Sequence, residues 1–243
     1  SFSAFAGNPY YIDLQTLAEQ GLLHRSEAQA PDWGTRPDWV DYAKIYKNRF
    51  AVLKKAWSRS GWEQDPDFSS FCEKNSFWLE DYALFMALKD SFEGQPWQSW
   101  PKEIRLRQPA ALQSYKDRLK GETAFWQYLQ YLFFTQWKKL KDYANQKKIQ
   151  IIGDIPIYVA MDSADVWANS GLFQMDEDRQ PLAVAGVPPD LFSSTGQLWG
   201  NPLYDWSAME RDGFSWWKRR IAASADWYDL IRIDHFIGIV HYY

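Results

Sequence analysis

A helix-then-strand order occurs twice in the C-terminal half of the chain, and it constrains the fold more than any other feature. Residues 121–147 place Phe125, Leu129, Leu132, Phe133, Trp137 and Leu140 at helical spacing, with Lys147 and Lys148 suited to a helix C-terminus. The run from Ile149 to Ile155 follows. It is short, β-branched and nearly all apolar, the pattern of a strand buried on both faces, and Pro156 ends it. Residues 207–224, with Met209, Phe214, Trp217 and Ile221, predict a helix leading into a second such run, Tyr228 to Ile233. Repeated helix-to-strand order predicts parallel strands with helical crossovers, an α/β fold. Two parallel strands are not a stable sheet by themselves. The remaining strands are therefore expected outside these 243 residues, and both ends, Ser1 and Tyr243, look cut.

The N-terminal half reads as helical. Asp13 is a plausible N-cap for a helix over 13–20 that Gly21 stops, and residues 25–38 read as loop. Residues 40–58 carry Tyr42, Ile45, Tyr46, Arg49, Leu53 and Trp57 at helical spacing. Asp65-Pro66 opens a helix with proline at its first position and a face running Phe68, Phe71, Cys72, Trp78, Tyr82, Phe85. A helical turn is expected at 162–168. A long Gly- and Pro-rich segment, 169–206, is expected to be irregular, and loops of that length are usually functional. This divides the chain into an N-terminal segment with a short helix (1–36), a helical insertion (37–120) and βα units (121–243).

Composition narrows the chemistry. The net charge is −4, and no basic face stands out, so nucleic acid is not an expected partner. No apolar run is long enough to span a membrane. A single cysteine, Cys72, excludes an internal disulfide and suits a reducing, cytoplasmic setting. His24, His235 and His241 lack metal-ligand spacing, so neither a metal nor another cofactor is expected. Aromatic residues make up 18%, with 15 tryptophans, which suits thick helical packing or platforms for sugar rings.

Three places can carry chemistry. In Arg232-Ile233-Asp234-His235, Arg232 and Asp234 lie two apart on a strand and point to one face at its C-terminal end. Parallel barrels build their active sites at that end. Arg232 favours the charged form of Asp234, as a nucleophile or electrostatic stabiliser requires, and a structural ion pair is the alternative. Asp154, in Gly153-Asp154-Ile155-Pro156, is a second carboxylate at the matching end of the first strand, or simply a turn residue. Segments 185–192 and 195–202 supply stacking faces (Phe192, Trp199) and amides (Gln197, Asn201) on glycine and proline hinges.

The stretches GDIPIYVAMDSADVW (153–167), VAGVPPDLFSSTGQLWGNPLYDW (184–206) and RIDHF (232–236) closely resemble the amylomaltase family, the 4-α-glucanotransferases or disproportionating enzymes of the α-amylase clan. SFSAFAGNPYYIDL (1–14) and WLEDYALFMALK (78–89) resemble it too. The resemblance implies a (β/α)8 TIM barrel with helical insertions, present here as a central segment. It also implies a retaining double displacement on α-1,4-glucans: maltooligosaccharides, amylose, glycogen or starch. By the same resemblance Asp234 is the nucleophile, Arg232 orients it, and Asp154 binds sugar hydroxyls in the donor subsite. Residues 186–194 match a lid-like loop, which puts Gly186, Pro188, Asp190, Leu191 and Phe192 near substrate. Gln197, Trp199, Asn201 and His235 are also placed there, and Tyr46 at a second glucan site away from the catalytic centre.

Two positions depart from the family pattern: Leu191 stands where relatives commonly carry Tyr, and Ile237 where they usually carry Arg. Retaining chemistry needs a second carboxyl about 5 Å from the nucleophile as acid and base. The resemblance places that Glu, and a third Asp, beyond Tyr243. Glu122 and Glu210, on predicted helices, are poor substitutes. An α-amylase-type hydrolase and a non-catalytic glucan-binding module remain the alternatives at this point.

Overall fold

The computed structural model describes residues 1–36, 38–189, 191 and 193–239, so Pro37, Asp190, Phe192 and 240–243 lie outside the described residues. Asp13 caps α1 (Leu14–Glu19) through its carboxylate, which accepts the Gln15 and Thr16 N–H groups. A short helix, α2 (Arg25–Gln29), lies where the sequence suggested loop. The nearby Pro31 and Gly34 mask its signal, which is local: Glu27 accepts the His24 N–H at 3.0 Å and pairs with Arg59 at the end of α3 (Tyr42–Arg59). Asp65 and Pro66 open α4 (Pro66–Lys74), as expected. The helix does not run on to Phe85. Asn75 interrupts it by turning its side-chain amide onto the Phe71 carbonyl, and α5 (Ser76–Ser91) starts afresh.

After α6 (Lys102–Arg105), α7 (Pro109–Arg118) follows and then α8 (Lys120–Gln146), the longest helix, which packs along α5. The middle of α5 is buried on nearly every side, and one apolar cluster runs from Phe5 through α5 and α8 to Trp217. Most of the tryptophans serve that core; Trp39 and Trp199 are the exposed ones. None of the described helices is long and apolar enough to cross a membrane.

β1 (Ile152–Ile155) pairs in parallel with β4 (Leu230–Ile233), in the register Ile152↔Leu230, Gly153↔Ile231, Asp154↔Arg232, Ile155↔Ile233. The ladder is fastened at its start by Asp229, whose carboxylate accepts the Ile151 N–H at 2.8 Å and the Asn145 amide at 2.9 Å. Gly153 is required there, because a Cβ would run into the Tyr228 ring. The strands are not covered on both faces, as their composition suggested. Gly153 and Ile155 are buried, whereas Ile152 (64% exposed) and Leu230 (50%) share an open face with Asp154 and Arg232. Among the described residues, helices cover one side of this two-stranded ladder.

Beyond α9 (Ala164–Ala168), the segment expected to be irregular contains an antiparallel hairpin, β2 (Val184–Val187) with β3 (Gln197–Pro202). Its glycines, which argue against strands in a sequence, are what let it close. A Cβ on Gly186 would meet the Gln197 carbonyl oxygen at 2.6 Å, and Gly196 sits at φ +75° against the Val187 carbonyl. The expected helix at 207–224 is two helices, α10 (Trp206–Arg211) and α11 (Ser215–Trp227), parted at Gly213 and Phe214, which both have positive φ. The buried face of α11 is Trp216, Trp217, Arg220 and Ser224, and Ile221, expected inside, is exposed.

Candidate active site

The parallel register sets Asp154 directly across from Arg232, at the C-terminal ends of β1 and β4. Side chains at directly paired positions share a face, and so do residues two apart on one strand. Asp154, Arg232 and Asp234 therefore converge. The guanidinium forks between the two carboxylates: one terminal nitrogen donates to Asp154 Oδ2 at 2.7 Å, the other to Asp234 Oδ1 at 2.6 Å. All three side chains remain more than half exposed, so a ligand can reach them. The Asp234 N–H donates to the Ile155 carbonyl at 2.9 Å, extending the ladder by one residue.

The chain turns sharply after Asp234. His235 takes φ +50°, a left-handed conformation that is uncommon in non-glycine residues and that histidine adopts more readily than most. Its ring stands edge-on to Trp199 at 5.0 Å. Gly238 makes room for the turn, since a Cβ there would press on the imidazole at 2.8 Å. The hairpin thus reaches the C-terminal end of the ladder through Trp199. The Trp199 indole N–H donates to Gln197 Oε1 at 2.9 Å, which fixes one ring face. The Asn201 amide donates to the Val159 carbonyl at 2.7 Å and ties β3 to the segment leaving β1.

A cavity of about 400 Å³ opens beside Asp154, walled by Pro156, Tyr158, Asn201, Arg220 and Tyr228, with the N-terminal residues Ser3 and Ala4 opposite. Behind it lies a buried polar cluster that the sequence reading missed. Arg220 is 3% exposed, and burial lowers its pKa. It donates to the carbonyls of Pro156 (2.6 Å) and Ile157 (3.2 Å). Tyr204, whose hydroxyl pKa burial raises, donates to the same Ile157 carbonyl at 2.7 Å. Asp165 is 4% exposed; burial raises its pKa, while the Ala4 N–H, at 2.7 Å, and the charge of Arg220 favour its ionised form. One signal could have revealed the cluster: Arg220 lies three residues after Trp217, on the apolar face of its helix.

The remaining sequence-derived positions fall elsewhere. Gly186 is buried inside the hairpin, Pro188 is exposed at its end, and Leu191 is fully exposed to solvent. Asp190 and Phe192 lie outside the described residues. Tyr46 is on α3, at a separate cavity of about 600 Å³ that it shares with Tyr10, Phe50, Tyr82 and Trp126, and its ring meets Phe50 edge-on at 5.5 Å.

Comparison with known proteins agrees with the motifs. The family profile described as "4-alpha-glucanotransferase" matches residues 1–243. A 4-alpha-glucanotransferase of Clostridium butyricum is 49% identical over 244 residues, covering 100% of this chain and 50% of the relative. One from Thermus thermophilus is 48% identical over 247 residues, covering 100% and 48%. Among solved structures, the amylomaltase from Streptococcus agalactiae in complex with acarbose superposes with a TM-score of 0.92 at 43% identity, over 98% of this chain and 48% of that one. The chain spans about half the length of the curated relatives it matches. From end to end, then, this chain belongs to the 4-alpha-glucanotransferase family.

Proposed function

We propose that the protein carrying this chain transfers α-1,4-glucan segments between maltooligosaccharides, with amylose, glycogen or starch as larger substrates, and that Asp234 is its nucleophile. The observation that carries this reading is the single Arg232 guanidinium gripping both Asp154 and Asp234 where β1 and β4 end. An oriented carboxylate oxygen of Asp234 attacks the anomeric carbon, and the departing 4-oxygen takes a proton from a general acid. The glucan is then held as a β-linked ester. The 4-hydroxyl of a second sugar attacks the same carbon, gives up its proton to that base, and frees Asp234. Two inversions give retention.

Arg232 holds the carboxylate so that the reacting oxygen is placed before the sugar arrives, which is where much of the rate is gained. Asp154, on the neighbouring strand, is placed to accept hydrogen bonds from hydroxyls of the sugar under attack. Trp199, with Gln197, Asn201 and His235, forms a wall against which a pyranose face can stack. Gly186, Pro188 and Leu191 belong to the cover over the acceptor side. Tyr46, with its own aromatic cavity, is a second glucan contact. We place the acid in a part of the polypeptide beyond residues 1–243, because the relatives are about twice as long as this chain.

The finer architecture follows from the same reading. Ile152 and Leu230 expose apolar surface on the face that carries Asp154 and Arg232. Further parallel strands closing a (β/α)8 barrel would cover it, as parallel sheets require. In that barrel, residues 37–120 are a helical insertion between the barrel segments 1–36 and 121–243. With one half-buried cysteine, the cytoplasm is the compartment we assign.

Maltotriose tests the activity. Glucose appearing together with maltooligosaccharides longer than the substrate, without a net rise in reducing ends, is the expected result. A net rise in reducing ends would mean hydrolysis, and binding without products a non-catalytic segment.

A further inference from the structure

The backbone that leaves β1 cannot be held by the ladder beyond Ile155, because Pro156 has no N–H to donate. It is held instead by side chains that bind its carbonyl oxygens. Arg220 donates to both Pro156 and Ile157, the Tyr204 hydroxyl donates to Ile157, and the Asn201 amide to Val159. Arg220 is the centre of this set. Its fork reaches two consecutive carbonyls from two terminal nitrogens held in one plane, a fixed geometry that the rotatable donors of an ammonium do not impose. Its guanidinium lies 4.9 Å from the centre of the Trp217 ring and 5.4 Å from that of Trp216, so its rotamer is fixed by packing. The facing charge, Asp165, holds the Ala4 N–H. The two buried charges thus fasten the two walls of the cavity in which Asp154 sits, the β1 exit and the N-terminal segment.

We infer that Arg220 is a positioning residue for catalysis: by clamping the Pro156 and Ile157 carbonyls it holds Asp154 opposite Arg232, and through Arg232 it sets the orientation of Asp234. This rests on the assignment of Asp234 as nucleophile. The two terminal nitrogens of Arg220 are taken up by backbone carbonyls. A buried charge whose hydrogen bonds end on backbone two residues beyond an active-site carboxylate acts on where that carboxylate points. A displacement of about 1 Å there costs on the order of a hundredfold in rate.

The test is Arg220→Lys in the protein that carries this chain, which keeps a charge facing Asp165 but loses the fork. Disproportionation of maltotriose is measured well below the melting temperature, with hydrogen–deuterium exchange on the same samples. The expected result is a fall in kcat of about tenfold or more with KM changed by less than about threefold, together with faster amide exchange confined to residues 154–160. In an Asp154→Asn background the same substitution should cost little more, because the group it positions is already disabled. Unchanged kcat, a full additional loss in the Asp154→Asn background, or unchanged exchange at 154–160 would each overturn the inference. If Arg220→Lys does not fold, Tyr204→Phe removes one donor from the Ile157 carbonyl and should show the same pattern at smaller size; no change in its kcat and exchange would overturn the inference too. Absence of any transfer by the wild-type protein would count against the glucanotransferase reading instead, and exchange alone would then judge the clamp.

Discussion

Replacing Arg232 with lysine should separate stability from catalysis cleanly. The Arg232 side chain is 60% exposed, and its partners Asp154 and Asp234 are 58% and 51% exposed. Exposed ion pairs contribute about 0–1 kcal/mol each to folding, because water already solvates the charges and two long side chains lose freedom. Lysine keeps a positive charge between the two carboxylates, so the net loss in stability should stay near 1 kcal/mol, at most about 2–4 °C in Tm, the shift for a unit of roughly 150–250 residues. Under the proposed assignment of Asp234 as nucleophile, catalysis depends on something else. The guanidinium directs one N–H to each carboxylate, at 2.7 and 2.6 Å, in a fixed plane. An ammonium group is a point charge with rotatable donors, and it imposes no fixed plane on the two carboxylates. Asp234 then samples orientations in which no oxygen faces the anomeric carbon. The expected loss is about a hundredfold in kcat, read as glucose released from maltotriose, with melting followed by calorimetry on the same sample. A Tm drop beyond about 5 °C with unchanged turnover per folded molecule would refute the reasoning, since Arg232 would then be a structural ion pair.

Gly153→Ala should cost about 1–3 kcal/mol in thermal melts, since its methyl meets the Tyr228 ring within the β1–β4 ladder. Gly121→Ala, in α8 with open space around it, should instead stabilise by about 0.5–1 kcal/mol. Asp229 has its pKa lowered, first by the Ile151 N–H and then by Asn145. Its stabilisation is therefore present above the ordinary carboxylate range and is lost as pH falls through the folded-state pKa. Asp229→Asn should melt below wild type at pH 7, and the gap should close in melts taken below about pH 4. Leu191→Tyr, at a fully exposed position, should leave Tm unchanged and lower the apparent KM for a glucose acceptor several-fold, a gain of about 1 kcal/mol from one sugar contact.

Much of this arrangement could be read from residue order, where local chemistry decides it. Asp13 and the Asp65-Pro66 pair mark helix starts because capping is satisfied within three residues. Arg232 and Asp234 share a face because strand periodicity is fixed. That Asp154 meets the same guanidinium required the register, and register is set by contacts some 78 residues apart in sequence. The hairpin at 184–202 was hidden for a different reason. Its glycines and prolines read as loop, yet Gly186 and Gly196 allow two backbones to approach where a Cβ would collide. The one-sided burial of β1 and β4 was also invisible, since Ile152 and Leu230 are apolar whether they face a core, a barrel interior or solvent. Arg220 was missed because an arginine is usually read as surface; its carbonyl partners come from another element.

The most direct test of the central claim is to trap the covalent intermediate. The protein carrying this chain is incubated with a fluorinated maltosyl fluoride, whose good leaving group lets the ester form while the ring fluorine slows its release, and the digest is read by mass spectrometry. One glycosyl adduct on the peptide containing Asp234, absent in Asp234→Asn, is the predicted result. An adduct on Asp154 or on any other residue, or continued turnover of maltotriose by Asp234→Asn near the wild-type rate, would contradict it.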